Sequence, residues 1–417
     1  MSDRIIPLLI VSMVLLLIDW YIFKAVLTLF KKPAARKRFP YFWWAYSILL
    51  ILGVFGSIFL NLRLSARAVI LVAFVLTFVT KVCYLPFLFL DDIRRAILRL
   101  KRKPEAEEKA NTELPKDSAD KISRSEFLVK AGIAVASIPF ASLSWGIVSG
   151  AYDYQIRHKK LYLKNLPKAF DGIKLAQVSD IHSGSFYNKK AVLGGVETLL
   201  SQKPDFVFFT GDMINYKADE MRDYQDIFAK VRAPLGVYST LGNHDYGDYF
   251  YGRNPSPAKT RHLQSVIQTH KNMGWNLLMN ENTRLKVDGE ELGILGVENW
   301  GKGERFPKKG RLDLALKGTE DLPVKLLLSH DPTYWREHVL NYPDVDATFS
   351  GHTHGMQFGV RMEEFQWSPV QYLYNEWAGL YQENHQQLYV NVGYGFLGYP
   401  GRVGILPEIT IFELKQG

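Results

Sequence analysis

Residues 237–245 read Val-Tyr-Ser-Thr-Leu-Gly-Asn-His-Asp, an apolar run that leads directly into a glycine and three polar residues. Four other apolar runs also end in polar loops, which contain, in order along the chain, Asp180-Ile181-His182, Gly211-Asp212, Ser329-His330 and Gly351-His352-Thr353-His354. Open α/β sheets bind ligands in the loops at the carboxyl ends of their parallel strands. We therefore expect these five loops to meet in one functional site.

The apolar runs predict the fold class of the second part of the chain. Valine, isoleucine, leucine and phenylalanine without polar alternation are typical of strands buried on both faces, and helical stretches between them indicate a layered α/β protein. The predicted strands are 173–178, 206–210, 237–241, 292–297, 324–328, 347–350, 388–392 and 409–414, with a further candidate at 275–279, and the predicted helices are 190–201 and 224–231.

The five loops have the chemistry of a metal site. Five of the ten histidines of the chain lie in them, each beside a small or acidic residue. Imidazole and carboxylate ligands without thiolate suit divalent Mn, Fe and Zn, with Mg as a harder alternative. The candidate ligands outnumber the four positions that one zinc ion uses, so we expect two divalent metal ions. Two such ions can supply a nucleophile and stabilise both oxygens of an in-line phosphoryl displacement.

In this order, the motifs Asp-x-His, Gly-Asp, Gly-Asn-His-Asp, a lone His and Gly-His-x-His resemble those of the calcineurin-like metallophosphoesterases. The resemblance covers about residues 160–417, and the apolar segments before it are similar to those of the membrane-anchored members of that family. It implies a four-layer αββα sandwich of two mixed β-sheets flanked by helices. It also implies a metal-dependent phosphoric ester hydrolase.

The same resemblance implies a role for each polar residue of the loops. The residues that match metal ligands are Asp180, His182 and His354 for the first ion, Asn243, His330 and His352 for the second, and Asp212 as the carboxylate that bridges the two. His244 resembles the catalytic histidine that contacts the phosphate and assists the leaving group. Asp245 resembles the partner that orients His244.

Residues 1–150 differ from this domain because they hold four apolar segments, at 5–30, 41–60, 68–90 and 127–149. Each is near or above the roughly 20 residues that a helix needs to cross the hydrocarbon core of a bilayer. The predicted organisation is three transmembrane helices within 1–90, a polar cytoplasmic linker at 91–126, a fourth transmembrane helix or signal anchor at 127–150, and a phosphoesterase domain at 151–417.

Basic residues predict the orientation of the membrane region. The segments 31–38 and 94–103 are rich in lysine and arginine, whereas 61–67 holds only Arg63 and Arg67. Basic loops stay in the cytoplasm, so this distribution places everything after residue 150 outside, on the periplasmic side of a bacterial inner membrane. The sequence after Ser123 resembles a twin-arginine export signal with Ser125 in place of the second arginine, which favours a plain fourth helix.

The net charge of +9 belongs to the membrane half of the chain. Residues 1–160 hold 24 lysines and arginines against 12 aspartates and glutamates, whereas residues 161–417 hold 27 against 30. This distribution argues against a nucleic-acid partner. The single cysteine, Cys83, excludes a disulfide scaffold and a cysteine-built zinc or iron–sulfur site.

Two further features leave alternatives open. Asp19, Lys24 and Lys81 fall within predicted spans; such charges either mark a transport path or are held at the interface or paired inside the bundle, and we favour the second explanation. Aromatic residues near the predicted site either form an amphipathic rim suited to lipid or pack in the core, and we expect the rim. They are Tyr246, Tyr249, Phe250, Tyr251, Phe365, Trp367, Tyr372, Tyr374, Trp377 and Tyr381.

Together these patterns predict a membrane-anchored two-metal phosphohydrolase. Its expected substrate is a phosphodiester, pyrophosphate or phosphomonoester, carried by a lipid or by another component of the cell envelope. A hydrolase of the UDP-2,3-diacylglucosamine type is an alternative, although a cytoplasmic nucleotide substrate conflicts with the predicted orientation. An alternative from another class is a membrane receptor or transport component that uses the domain only for binding.

Overall fold

The computed structural model describes residues 2–60, 64–101, 124–362 and 364–417. The chain divides into two compact units, Met1–Ser144 and Trp145–Gly417. Long apolar helices make up the first unit, and strands and shorter helices make up most of the second.

Four long helices precede the α/β domain, as predicted. They are α1 (Ser2–Leu27), α2 (Pro33–Phe59), α3 (Leu64–Lys101) and α4 (Arg124–Val148). Each is long and apolar enough to cross a bilayer, over Leu9–Leu27, Pro33–Ser57, Val69–Leu98 and Glu126–Tyr152. Large apolar side chains on them are exposed, among them Leu17, Leu49 and Phe89, as expected for surfaces that face lipid instead of water.

The third helix is longer than the predicted span. It continues to Lys101, whereas the linker was predicted to begin at residue 91. Its polar end is stabilised by ion pairs between Asp91 and Arg94 (2.8 Å) and between Asp91 and Arg95 (2.7 Å), one turn further along the helix. The remaining linker prediction, at 102–123, lies outside the described residues.

The second helix begins earlier than predicted. Its first residue is Pro33, so most of the basic segment 31–38 lies in the first turns of α2 and not in a loop. Proline is favourable there because its missing N–H would have no helical partner at that position. The positive charge nevertheless remains at the same end of the span, so the orientation argument is unchanged.

Charged side chains within the spans have partners. Asp19 of α1 forms an ion pair with Lys81 of α3, whose ammonium also lies 5.4 Å from the centroid of the Trp43 ring. The ammonium of Lys24 lies 3.4 Å from the centroid of the Trp20 ring. The contact between Asp19 and Lys81 agrees with pairing inside the bundle, the explanation favoured above, whereas Lys24 is exposed and its contact with Trp20 lies within α1.

The α/β domain contains helices on both sides of two sheets. The helices are α5 (Lys189–Ser201), α6 (Gln225–Phe228), α7 (Asp248–Tyr251), α8 (Pro257–Asn272), α9 (Leu312–Ala315) and α10 (Thr333–Glu337). The strands are β1 (Gln155–Leu163), β2 (Lys174–Val178), β3 (Phe206–Phe209), β4 (Val237–Ser239), β5 (Asn276–Leu277), β6 (Glu281–Val287), β7 (Glu290–Gly296), β8 (Lys325–Leu328), β9 (Ala347–Ser350), β10 (Val360–Arg361), β11 (Gln366–Trp367), β12 (Gly379–Glu383), β13 (Gln386–Val390) and β14 (Glu408–Gln416).

Both large sheets are mixed. The first has the order β1-β14-β2-β3-β4-β5, in which β14 is antiparallel to β2 and the other pairs are parallel. The second has the order β12-β13-β9-β8-β7-β6, in which the outermost pair at each end is antiparallel and the middle pairs are parallel. Strands β10 and β11 form a separate hairpin.

The two sheets face each other across an aromatic core. Phe208 of β3 contacts Phe349 of β9 with ring centroids 5.1 Å apart, and Phe349 contacts Phe412 of β14 at 5.2 Å. Alternate residues of β3 point the other way, so that Val207 and Phe209 pack under helices α5 and α8. Burial of both faces explains the continuous apolar runs and confirms the predicted layered α/β class.

Candidate metal centre

The five predicted loops meet at the carboxyl ends of five strands drawn from both sheets. The polar residues that these loops supply are Asp180 and His182 after β2, Asp212 after β3, Asn243, His244 and Asp245 after β4, His330 after β8, and His352 and His354 after β9. His352 is half-buried and the others are buried. The site therefore lies where the ends of the two sheets adjoin.

Several of these residues have backbone conformations that are unfavourable for any residue but glycine. Asp180 (φ 52°), His182 (φ 46°), Asp212 (φ 59°), His352 (φ 73°) and His354 (φ 52°) lie in the left-handed region. Such conformations cost of order 1–3 kcal/mol each and persist only where the surrounding structure imposes them. Five such residues in these loops indicate that the fold keeps unfavourable backbone conformations because they direct the side chains into the site.

The side chains form two groups with the spacing of metal ligands. Asp180, His182 and His354 make up the first, and Asp212, His330 and His352 make up the second. Within each group the candidate ligand atoms lie within 4.8 Å of one another. These are six of the seven ligands implied by the resemblance, divided as it implied, with Asp212 placed in the second group.

Asp212 also reaches the first group. Its Oδ2 lies 3.1 Å from His330 Nε2 and 3.6 Å from His182 Nε2, and these two histidines belong to different groups. A single carboxylate oxygen within reach of both groups has the position needed for a bridging ligand.

The seventh residue is Asn243, whose side-chain amide is oriented by one hydrogen bond. Its Nδ2 donates to the Tyr249 hydroxyl at 3.0 Å, which fixes the orientation of the amide. Its Oδ1 is buried and has no hydrogen-bond partner among the described residues. The oxygen is therefore available to a cation.

Hydrogen bonds behind the histidines orient their rings. His182 Nδ1 donates to Asn215 Oδ1 at 3.0 Å, and Asn215 Nδ2 in turn donates to Ser185. His330 Nδ1 donates to the carbonyl of Thr210 at 2.7 Å. In both cases the proton is held at Nδ1, which leaves the Nε2 lone pair directed into the site, as metal-binding histidines require.

The donor set fits divalent cations. Besides Asn243 Oδ1, the buried Nε2 atoms of His182 and His354 have no hydrogen-bond partner among the described residues. The carboxylates of Asp180 and Asp212 are also buried, and in the described structure neither is paired with a lysine or arginine. Buried carboxylates are unfavourable without a compensating positive charge, so this cage calls for cations.

Electrostatics support the same conclusion. Burial lowers the pKa of His182 and of His352, which keeps their rings neutral and able to coordinate. Burial also disfavours the charged form of His330, but the Asp212 and Asp180 carboxylates and the hydrogen bond to Thr210 together outweigh it and raise the pKa of His330 to about 10. Without a metal ion, His330 therefore carries a second proton, at Nε2, whose positive charge stands beside Asp212 where a cation would otherwise be.

The prediction that Asp245 orients His244 is wrong. Asp245 does not orient it, because its carboxylate accepts three backbone N–H groups, from Gly242 (2.9 Å), Asp212 (3.0 Å) and Met213 (2.9 Å). Asp245 thereby braces the loops after β3 and β4. His244 Nδ1 instead donates to the carbonyl of Asn215 at 2.7 Å, a contact without a local signal in the sequence.

The sequence placed Tyr249 and Tyr374 near the site only as aromatic residues, and it did not predict Arg305 or the following contacts with the histidines. The ring of Tyr249 stacks on His244, with centroids 4.3 Å apart, and the Tyr374 hydroxyl lies 2.9 Å from His352 Nε2. Arg305 is exposed, and its guanidinium lies 4.6 Å from the centroid of the Phe306 ring, which packs edge-on against His352. Arg305 also lies near the Tyr374 hydroxyl, so it places a positive charge beside the second ligand group.

The predicted aromatic rim is present in part. Tyr246 and Trp377 are buried in the core. The exposed members are Tyr249, Phe250, Phe365 and Tyr372. Of the remainder, Tyr251, Trp367, Tyr374 and Tyr381 are half-buried.

Comparison with known proteins agrees with this geometry. The family model of the calcineurin-like phosphoesterases matches residues 173–356, and the model of the transmembrane domain of calcineurin-like phosphoesterases matches residues 3–151. The first match covers the loops after β2, β3, β4, β8 and β9, and the second covers α1 to α4.

Individual relatives are about a quarter identical to the chain over the aligned residues. A transmembrane protein with metallophosphoesterase domain from Danio rerio is 26% identical over 280 residues, which are 65% of this chain and 60% of that protein. The uncharacterized metallophosphoesterase YkuE of Bacillus subtilis is 27% identical over 303 residues, 71% of this chain and 99% of that protein.

A relative with a named substrate is the UDP-2,3-diacylglucosamine pyrophosphatase LpxG of Chlamydia trachomatis. It is 27% identical over 285 residues, 55% of this chain and 81% of that protein. The two family matches and the arrangement of the five loops thus identify a calcineurin-like phosphoesterase domain at residues 173–356, preceded by a transmembrane domain at residues 3–151, and they support a metal-dependent phosphoesterase.

Proposed function

We propose that this chain is a membrane-anchored hydrolase that uses two divalent metal ions to cleave a phosphodiester, pyrophosphate or phosphomonoester of a lipid or cell-envelope substrate. The observation that carries the proposal is the pair of ligand groups that share Asp212, with His244 beside them. The rings of His182 and His244 meet edge to face with centroids 4.9 Å apart. His244 thus lies next to the first group without belonging to it.

The ligand residues hold the reacting centre. Asp180, His182 and His354 would bind one ion, Asn243, His330 and His352 the other, with Asp212 between them. When bound, two such ions supply Lewis acidity to the phosphoryl oxygens and a water deprotonated at neutral pH as the nucleophile. Manganese, iron and zinc suit this donor set best, and magnesium is a harder alternative.

His244 would move the proton. Its Nδ1–H is held by the carbonyl of Asn215, so the proton that can be transferred is the one on Nε2. Tyr249 stacks on the ring and limits its rotation. A histidine held in this way can protonate the oxygen of the leaving group as the P–O bond breaks.

Arg305 would bind the negative charge of the substrate. Its guanidinium lies near Tyr374 and Phe306, both of which contact the ligand His352. A planar guanidinium can form two hydrogen bonds with one phosphoryl group. It would therefore favour substrates that carry more than one phosphoryl charge.

The lipid or envelope substrate class is supported by the membrane spans of the chain. A hydrolase of the UDP-2,3-diacylglucosamine type is the rival within the same reaction, supported by the similarity to LpxG. The distribution of basic residues supports a catalytic domain on the periplasmic side of the inner membrane, where a cytoplasmic nucleotide substrate would be absent. A reporter fused after Gly417 tests this orientation. If the reporter lies in the cytoplasm, the UDP-2,3-diacylglucosamine-type hydrolase is favoured.

The reaction is tested with the full chain in detergent. After removal of metal, hydrolysis of bis-p-nitrophenyl phosphate and of p-nitrophenyl phosphate is measured on addition of Mn, Zn, Fe or Mg. Metal-dependent turnover of either ester is expected, and the ratio of the two rates distinguishes a diesterase from a monoesterase. Failure with every metal, in a folded chain that binds two ions, would favour a strictly lipid substrate or the binding-only alternative.

A further inference from the structure

The domain exposes an apolar surface beside the metal centre. Its most exposed members are Met362, Phe365, Tyr372 and Leu373, which are 67%, 58%, 75% and 68% accessible. Met356 and Phe358 are exposed nearby, so the whole set falls within a short stretch of chain after His354. We call these six residues the apolar patch. Large apolar side chains gathered on the surface of an otherwise water-soluble fold mark an interaction site.

The apolar patch is built on fixed backbone. Strands β10 and β11 form a hairpin whose tip is closed by a hydrogen bond from the N–H of Met362 to the carbonyl of Phe365, at 2.8 Å. Arg361 ties this hairpin to the domain through a buried ion pair with Glu408. Ser368 Oγ donates to the carbonyl of Gly355 at 2.7 Å and so connects the segment after the hairpin to the loop after β9.

Backbone hydrogen bonds connect the chain around Met356 and Phe358 of the apolar patch to the end of a membrane span. The span Glu126–Tyr152 ends in a segment whose Gly146 carbonyl accepts the N–H of Arg402 at 3.1 Å. The next residue, Val403, donates to the carbonyl of Gln357 at 2.8 Å and accepts the N–H of Gly359 at 2.9 Å. One short segment, 402–403, therefore lies between the end of the span and the backbone that carries Met356 and Phe358.

The apolar patch also borders the site. Leu373 precedes Tyr374, whose hydroxyl contacts the ligand His352. Arg402, whose backbone is bound to the end of the span, places its Nη2 3.2 Å from Nδ1 of the ligand His354. The end of the span, the apolar patch and the metal ligands are thus neighbours within Trp145–Gly417.

We propose that the apolar patch is a bilayer-docking surface, which inserts Met362, Phe365, Tyr372 and Leu373 into the interface of the membrane that the chain spans. The bilayer is the occupant because backbone hydrogen bonds connect the patch to the end of a segment long and apolar enough to cross it. Interfacial segments bury their apolar face roughly 5–10 Å into the boundary between headgroups and acyl chains. Docked in this way, the metal centre opens at the level of the headgroups, and its use for a lipid substrate rests on the proposed function.

Docking is measured without reference to activity. Cys83, the single cysteine, is replaced by alanine, and the full chain then receives one cysteine at Phe365, at Leu373 or, as a matched exposed control, at Asp288 in the turn between β6 and β7. Each variant is labelled with the environment-sensitive fluorophore NBD and reconstituted into vesicles of phosphatidylethanolamine and phosphatidylglycerol. Labels at 365 and 373 are expected to emit further to the blue than the label at 288, and to be quenched severalfold more by lipids that carry a nitroxide on the acyl chain. Emission and quenching equal to those of the control at both positions would overturn the proposal.

The consequence for catalysis has its own test. In the full chain in vesicles, the double substitution Phe365→Ser and Leu373→Ser should leave turnover of soluble p-nitrophenyl phosphate unchanged. It should lower turnover of a diacylglycerol p-nitrophenyl phosphate embedded in the same vesicles at least tenfold. Equal rates with the embedded ester would contradict docking as the route of lipid access. A wild-type chain that cleaves neither ester would contradict the proposed function alone, since the fluorescence result stands by itself.

Discussion

His244→Ala should lower turnover strongly while leaving the metal content of the protein near normal. The structure places His244 outside both ligand groups, with its ring held between the carbonyl of Asn215 and the ring of Tyr249. Its removal deletes a proton donor and leaves the ligands of both groups in place. The loss should therefore fall on the chemical step and not on metal binding.

The size of the loss depends on the leaving group. A positioned acid contributes about 10²–10⁴-fold to proton transfer, which corresponds to about 3–5 kcal/mol of transition-state stabilisation. An alkyl phosphate, whose alcohol leaves poorly unless it is protonated, should show the full loss. p-Nitrophenyl phosphate, whose phenolate leaves readily, should show a loss at least tenfold smaller.

The assay compares kcat for the two esters in the full chain, with metal content measured by mass spectrometry on the same samples. His385→Ala is the matched control, because His385 is exposed and its ring is hydrogen-bonded to the carbonyl of Pro343, away from both ligand groups. Loss of metal together with turnover would show that His244 is a ligand. An equal loss for both esters would show that it does not protonate the leaving group.

Four other substitutions test the site and the fold. Asp212→Asn, which weakens a carboxylate within reach of both ligand groups, should lower the content of both metal ions measured by mass spectrometry. Asn215→Ala removes the hydrogen-bond acceptor of the His182 ring but keeps the backbone carbonyl that holds His244. The metal affinity measured by titration should fall about 10–100-fold, and excess metal should restore kcat. Arg305→Met should raise KM for p-nitrophenyl phosphate more than for the diester, with metal content unchanged. Phe349→Ala, in the core between the sheets, should cost about 3–5 kcal/mol in chemical unfolding, whereas the exposed control Phe250→Ala should cost little.

The sequence predicts the parts of the fold that depend on burial. The runs that became β3 and β8 are apolar at every position or nearly so, because alternate residues face the core between the sheets and the core under the helices. The edge strands β1 and β6 were not predicted, since they are partly exposed and polar residues interrupt their apolar pattern. Helix α8 was not predicted for the same reason, because only a few of its residues are buried.

For the site, too, the sequence predicts some residues and not others. Residues that directly follow a strand, such as Asp212 and His330, are marked by their position in the chain, and the structure brings them together. The contacts that orient them come from residues without a local pattern. Asn215 serves both His182 and His244 only because its loop folds back under the site, and Asp245 takes a bracing role that its place beside His244 does not indicate. Backbone strain at the ligands is equally invisible, since none of the strained positions is a glycine.

The side of the membrane, more than the chemistry of the site, separates the two substrate classes. A bilayer-docking surface beside the ligands suits any lipid that presents a phosphoryl group at headgroup level, and a nucleotide-linked lipid presents its pyrophosphate there as readily as an envelope lipid does. Kinetic preference for a pyrophosphate would therefore fit both classes, since Arg305 would favour the additional charge in either case. The two classes differ in that one requires a cytoplasmic nucleotide and the other does not. If a reporter fused after Gly417 is found on the outer side of the membrane, the nucleotide-linked substrate is excluded, whatever rate is measured in detergent. Measuring the orientation is therefore the experiment that narrows the substrate class most.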